Sequence, residues 1–237
     1  MNRVLGRLFS TLSLLVLLPV VRPTALSPYY WWHEIRQWEP LILRYADRIN
    51  IDPNFLAALI VCESGGDADE ISPAGAVGLM QVMPFHLGYN APAATEALRD
   101  PDRNMAWGTW VLQNAIEMAD GDIFHALALY NGGSEFAASR ESRGYAERVL
   151  RMYLQAVITR EGYDPETINN WRAIFQIQGR AVDIANTPAP GWVVTSHHWQ
   201  SMPDRAVVNT VLYEGRDEYF VSWRVVVWLL PDSRAGG

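Results

Sequence analysis

The stretch Asp52–Gly66 constrains this chain more than any other. Asp52-Pro53 reads as a helix start, with Asp52 as the N-cap and Pro53 as the first helical residue. From there Leu56, Leu59, Ile60 and Glu63 recur at helical spacing, so one face carries three aliphatic side chains and then a carboxylate. Gly65-Gly66 closes the helix in the usual way for glycine. Glu63 thus falls in the last turn of an apolar stripe. Burial beside aliphatic neighbours and the negative end of the helix dipole both disfavour its charged form. A carboxyl held partly protonated near neutral pH is what a general acid for glycoside cleavage requires. A lone Glu at a helix end reads more simply as a solvated side chain. The next twenty residues change that balance. Pro73, Gly75, Gly78 and Pro84 bracket the cluster Leu79-Met80-Gln81-Val82-Met83. That segment is too irregular for a plain helix and too apolar for an exposed loop, and it suits the wall of a groove.

Glu63-Ser64-Gly65-Gly66 followed by the run Ser72 to Pro84 resembles the signature of the soluble lytic transglycosylase (SLT) domains, relatives of goose-type lysozyme. Three later stretches extend the resemblance. Asp100-Pro101, Asn104 and Gly108 fit the family spacing, with Trp110 where the family often has Tyr. Ala126 to Gly133 is similar to its Ala-Tyr-Asn-Ala-Gly motif, although Gly132 replaces Ala and Ser134 replaces a common Pro. Tyr145-Ala146-Glu147-Arg148-Val149 is similar to its Tyr-Val-x-x-Val element. The likeness covers about Trp38 to Tyr153. It implies a mainly α, lysozyme-like (SLT) domain; beyond it, the residues themselves read as a small C-terminal appendage with a β-hairpin.

The resemblance also implies a reaction. Glu63 is the catalytic residue, protonating the oxygen between N-acetylmuramic acid and N-acetylglucosamine and then drawing the proton from the muramic acid's C6 hydroxyl. The product is a 1,6-anhydro end. Gln81 and Met83 are expected to line the groove, and Ser72 to lie beside the acid or the substrate. Tyr130 is expected to hydrogen-bond near Glu63, Asn131 to hold that turn, and Tyr145 to belong with them to the substrate-binding set. Each has a plainer reading: Gln81 as a loop cap, Met83 as core, Tyr130 as a buried aromatic with a satisfied hydroxyl.

A two-carboxylate glycosidase needs a partner for Glu63. Asp67, Asp69 and Glu70 are near in sequence but sit in a polar loop, and no pattern places them opposite Glu63. A single carboxylate suffices where the substrate's N-acetyl carbonyl traps the cation.

The rest of the chain narrows the setting. With 237 residues, a net charge of −7 and 49% apolar residues, it has a globular balance and no basic footprint for nucleic acid. The five histidines show no metal-ligand spacing, and no phosphate-cradling loop is present, so neither a metal nor another cofactor is expected. Cys62 is the only cysteine, which excludes an internal disulfide; it reads as a structural thiol. Arg3 and Arg7 followed by the apolar run Leu12–Val21 resemble a secretory signal peptide cleaved after Ala25, with an uncleaved anchor as the alternative. Export to the periplasm or cell envelope follows.

The expected organisation is a signal at 1–25, the lysozyme-like domain at 29–160 and an extension at 161–237. Within that domain, the aromatic cluster Tyr29–Trp32 is expected to be a packed lead-in, with a groove edge as the alternative, and helices are expected at Trp38–Ile49, from Asp100 and over Asp122–Tyr130, the last ended by Gly132-Gly133. A last helix carries Tyr145, Val149 and Tyr153 on one face. In the extension, Trp171, Ile174, Phe175 and Gln178 fit a short helix, and Val207–Tyr213 with Tyr219–Leu230 a hairpin. The second run is apolar on both faces and must be covered. The main reading is a lytic transglycosylase acting on peptidoglycan glycan strands. A hydrolytic muramidase on the same fold is the near alternative. A glycan-binding assembly module is the more distant one, its extension recruiting a secretion, conjugation or phage apparatus.

Overall fold

The computed structural model describes residues 31–88, 91–164, 166, 171–178, 192–195, 206–215 and 222–229. The signal region, the Thr187–Gly191 linker and His197-His198 lie outside them. Seven helices and one sheet make up the described residues, and the helical part is the larger. The expected helix from Trp38 is α2 (Glu39–Arg48), after a four-residue α1 (His33–Arg36). Its apolar stripe points inward: Ile42, Tyr45 and Ile49 are buried. Of the Tyr29–Trp32 cluster, Trp31 is buried with its indole N–H donating to Asn54 Oδ1 at 2.9 Å, Trp32 is half-buried, and Tyr29 and Tyr30 lie outside the described residues.

Helix α3 (Pro53–Ser64) begins and ends as its sequence dictates. Asp52 accepts from the Asn54 backbone N–H, and Gly65 adopts φ 61° as the left-handed C-cap. It differs from the expected stripe in being buried all round, from Asn54 to Ile60. It is the central helix, and a central helix has no solvent face to mark with polar residues. α7 (Arg140–Arg160) packs along it, and α2 and α1 also contact it; α6 (Ile123–Phe136) packs on α7, α5 (Pro101–Met118) packs on α6, and α4 (Ala91–Leu98) packs on α5 and on a 3₁₀ turn at Pro84–Leu87. Tyr145, Val149 and Tyr153 are all buried along α7. No helix among the described residues is long and apolar enough to cross a membrane.

The helix expected over Asp122–Tyr130 ends its first stretch at Gly133, whose backbone is non-helical (φ 64°, ψ −177°), and a second short stretch runs on to Phe136. One expectation needs correction: Trp171–Gln178, expected as a short helix, is strand β1. Its eight residues pair antiparallel with β4 (Ser222–Leu229) and in part parallel with β2 (Trp192–Thr195). Trp171, Ala173, Phe175 and Ile177 also alternate, and a short apolar run does not by itself separate helix from strand. Partner strands decide it.

The expected hairpin strands are β3 (Ala206–Glu214) and β4, paired antiparallel, and the sheet order is β2-β1-β4-β3. β4 is thus an interior strand, which fits its continuous run of apolar residues. The edge strand β3 reaches the helical part. Ile51 bridges Tyr213, Asp52 N–H donates to Leu212 C=O at 2.8 Å, and Glu214 N–H donates to Asn50 C=O at 3.0 Å. Leu212 is fully buried in the same core as α3.

Candidate active site

The fold fixes α3 at both ends, and that places Glu63. At its start, Asp52 takes hydrogen bonds from the Asn54 backbone and side chain on Oδ1, and from the Tyr153 hydroxyl on Oδ2 at 3.0 Å. At its end, the Ser64 hydroxyl donates to Leu79 C=O at 3.0 Å and accepts from Gly66 N–H at 3.1 Å. The last turn is thereby clamped to the Gly-rich loop.

That loop is built rather than slack. Ile71 bridges Val77, and Val77 bridges Val82. The buried Asn104 of α5 staples it from below: its Nδ2 donates to Val77 C=O (2.7 Å) and Leu98 C=O (2.9 Å), and its Oδ1 accepts from Met80 N–H (2.9 Å). Gly78, at φ 74°, lies so close to Asn104 that a Cβ would stand 2.4 Å from the amide nitrogen. Asn104→Ala therefore takes away the side-chain partner of one backbone N–H and two carbonyls. It should cost about 2–4 kcal/mol, read as a lower urea midpoint at unchanged slope.

Glu63 sits at the end of this clamp with a partly exposed edge. Burial pushes its carboxyl up to about 7, against opposing effects of the Tyr145 hydroxyl and the Arg148 guanidinium. The Tyr145 hydroxyl, buried on α7, donates to Glu63 Oε1. Tyr130 lies near Glu63 without bonding it. Its hydroxyl donates to Met80 C=O at 2.6 Å, while burial and the nearby Glu63 charge hold its own proton firmly. Of the two tyrosines, Tyr145 contacts the acid and Tyr130 ties α6 to the loop.

The remaining predicted residues divide. Met83, Tyr130 and Asn131 line one cleft of about 470 Å³, together with His86, Trp110 and Asn114. Glu63 is not in that lining; Tyr130 is the residue that belongs to both. Gln81 takes φ 48° and its amide donates to Gly78 C=O (3.0 Å) and Glu70 C=O (3.3 Å), so its nitrogen serves the loop. The Ser72 hydroxyl accepts from Ala76 N–H at 3.0 Å and closes the tip of the same loop. Gly132, where an Ala was expected, faces Ser142: a Cβ there would stand 2.3 Å from its Oγ. The departure has a packing cause.

Asp67, Asp69 and Glu70 are exposed, and Asp69 pairs with Arg99 at 2.8 Å. Among the described residues no second carboxylate acts on Glu63. The Cys62 thiol is pushed up to about 11 by burial and the Glu63 charge, so it is a protonated thiol and not a nucleophile. No cluster of three metal-ligating side chains occurs among the described residues. Sequence reasoning assigns no role to Asn104, Ser64 or Arg148. All three stand inside family-like motifs, but Arg148 falls at an unspecified position of its motif and is exposed.

The described residues thus place one desolvated carboxyl at the end of α3, near Tyr130, which itself lines a cleft formed mainly by α5 and α6. Residues 40–152 match the Transglycosylase SLT domain family. Two relatives match part of the chain: Endo-type membrane-bound lytic murein transglycosylase A of Citrobacter koseri is 33% identical over 81 residues, covering 31% of this chain and 40% of the relative. The protein of the same name from Klebsiella pneumoniae is 32% identical over 80 residues, covering 30% and 39%. The matched stretch thus spans about two fifths of the length of these relatives. Among solved structures, the 70-kDa soluble lytic transglycosylase of Escherichia coli aligns at 25% identity and TM-score 0.45, over 54% of this chain and 25% of that one. An inactive mutant of the lytic transglycosylase Slt from Pseudomonas aeruginosa aligns at 26% identity and TM-score 0.42, over 50% and 23%.

Proposed function

We propose that the protein is a peptidoglycan lytic transglycosylase that cleaves the β-1,4 bond between N-acetylmuramic acid and N-acetylglucosamine with Glu63 alone. The observation that carries this reading is a carboxyl raised to about 7, hydrogen-bonded by Tyr145 and without a carboxylate partner among the described residues. A group with that proton affinity is populated in both forms near neutral pH, as an acid that must later serve as a base requires. The protonated Glu63 gives its proton to the glycosidic oxygen as the C1–O bond breaks. The substrate's own acetamide carbonyl stabilises the sugar cation in place of a second carboxylate. The Glu63 carboxylate then takes the proton of the C6 hydroxyl while O6 bonds to C1. One proton leaves and one returns, no water is consumed, and the product is a 1,6-anhydromuramic end. Tyr145 keeps the carboxyl oriented in both steps. Met83, Tyr130 and Asn131 border the cleft along which the glycan strand lies, and the reaction belongs to the cell envelope.

Mass analysis of digested sacculi tests the reading. Anhydromuramic ends support it. Reducing ends, heavier by one water, mean that water is the acceptor and that the enzyme is a muramidase. Binding without any cleavage means an assembly module.

A further inference from the structure

One charged side chain at the site has no assigned task. Arg148 lies one turn after Tyr145 on α7, and its guanidinium carbon stands 5.8 Å from the centroid of the Tyr145 ring. That is the spacing at which a cation is attracted to an aromatic face. The Tyr145 hydroxyl, at the far end of the same ring, holds Glu63. Arg148 is exposed and makes no ion pair with a carboxylate among the described residues, unlike Arg44, Arg99 and Arg160. Its charge is felt across the seam between α7 and α3, at both Glu63 and Cys62.

We propose that Arg148 is a positioning residue of the catalytic centre: a fixed positive charge, set over the Tyr145 ring, that acts on Glu63 and keeps the Tyr145–Glu63 pair aligned. This rests on the reading of Glu63 as the acid. The titratable and charged groups that face Glu63 are Cys62 on its own helix, Tyr130 on α6, and Tyr145 and Arg148 on α7. The first three keep their protons through the neutral range, since burial raises all of them. Arg148 is therefore the only permanent charge in the set. Burial lifts the carboxyl, and Arg148 limits that lift so that the acid can give up its proton and take it back. An Arg suits the task better than a Lys because its planar head stacks and keeps a defined place on the ring.

Arg148→Gln removes the charge while retaining length and polarity. The alkaline limb of kcat/KM on sacculi, which reports loss of the Glu63 proton, should move up by roughly half a pH unit or more. Arg148→Lys should leave it close to that of the unaltered protein. Titration of the Glu63 side-chain carbon by NMR should show the same upward shift without substrate. This second readout keeps an error about the reaction distinct from an error about Arg148. An unmoved NMR midpoint in Arg148→Gln overturns the proposal. So does a raised KM with an unmoved alkaline limb, which makes Arg148 a substrate contact.

Discussion

Glu63→Gln should abolish cleavage of sacculi, by about 10³-fold or more, and at the same time make the protein more stable at neutral pH. The first effect follows because one side chain is asked to act as both acid and base, and an amide does neither; losing a single general acid or base costs about 10²–10⁴-fold. The second follows from linkage. The Glu63 carboxyl titrates near 7 in the folded chain against an ordinary value of 4.5. A carboxyl whose folded value is raised contributes stability that is fully present below pH 4.5 and is lost as pH rises through 7. Relative to the amide variant, the unaltered protein thus loses about 1–3 kcal/mol between pH 4.5 and pH 7, the lower part of the range allowing for its partly exposed edge. The introduced amide oxygen can still accept from the Tyr145 hydroxyl, so the packing survives. Melting curves at pH 4.5 and pH 7.5 check this: the gain in Tm should appear only in the second. Equal gains at both pH values mean that relief of strain and not of charge stabilises the variant.

Leu212→Ala should destabilise the helical domain itself, although Leu212 lies far beyond it in sequence. Its side chain is fully buried in the core that surrounds α3, and its carbonyl receives the Asp52 N–H just ahead of that helix. Removing a buried Leu side chain costs about 2–5 kcal/mol, or on the order of 5–15 °C in Tm for a chain of this size. A chain ending at Glu161 loses the side chain and the strand together. It should melt lower still, with reduced protection from hydrogen exchange at the start of α3. An unchanged Tm in both variants means that the sheet is a separate unit resting on the domain.

These two expectations mark what is and is not legible in the sequence. Glu63, its helix and the loop after it are readable because each rests on local chemistry. An Asp-Pro start, an apolar stripe, a double glycine and an irregular apolar loop are all short-range signals. The cap residues Asp52, Asp100 and Asp122 accept the backbone bonds that their positions imply. What escapes depends on partners distant along the chain. β1 is a strand because β4 and β2 lie beside it, and its own pattern fits two periods. Asn104 sits in a family-like motif, but that it holds Val77, Leu98 and Met80 at once is visible only in three dimensions. That Tyr145 and not Tyr130 bonds the acid has the same origin: both are tyrosines in family-like motifs, and only geometry says which hydroxyl reaches Glu63. The anchoring of β3 on residues 50–52 leaves no trace that one strand alone could show.

The central claim is that one buried carboxyl keeps its proton to near-neutral pH, and titration of Glu63 in the intact chain tests it most directly. Selective carbon labelling of the side chain and NMR from pH 3 to pH 9 should give a midpoint close to 7. A midpoint near the ordinary 4.5 would mean a solvated carboxylate at a helix end, with no acid in place to start the reaction.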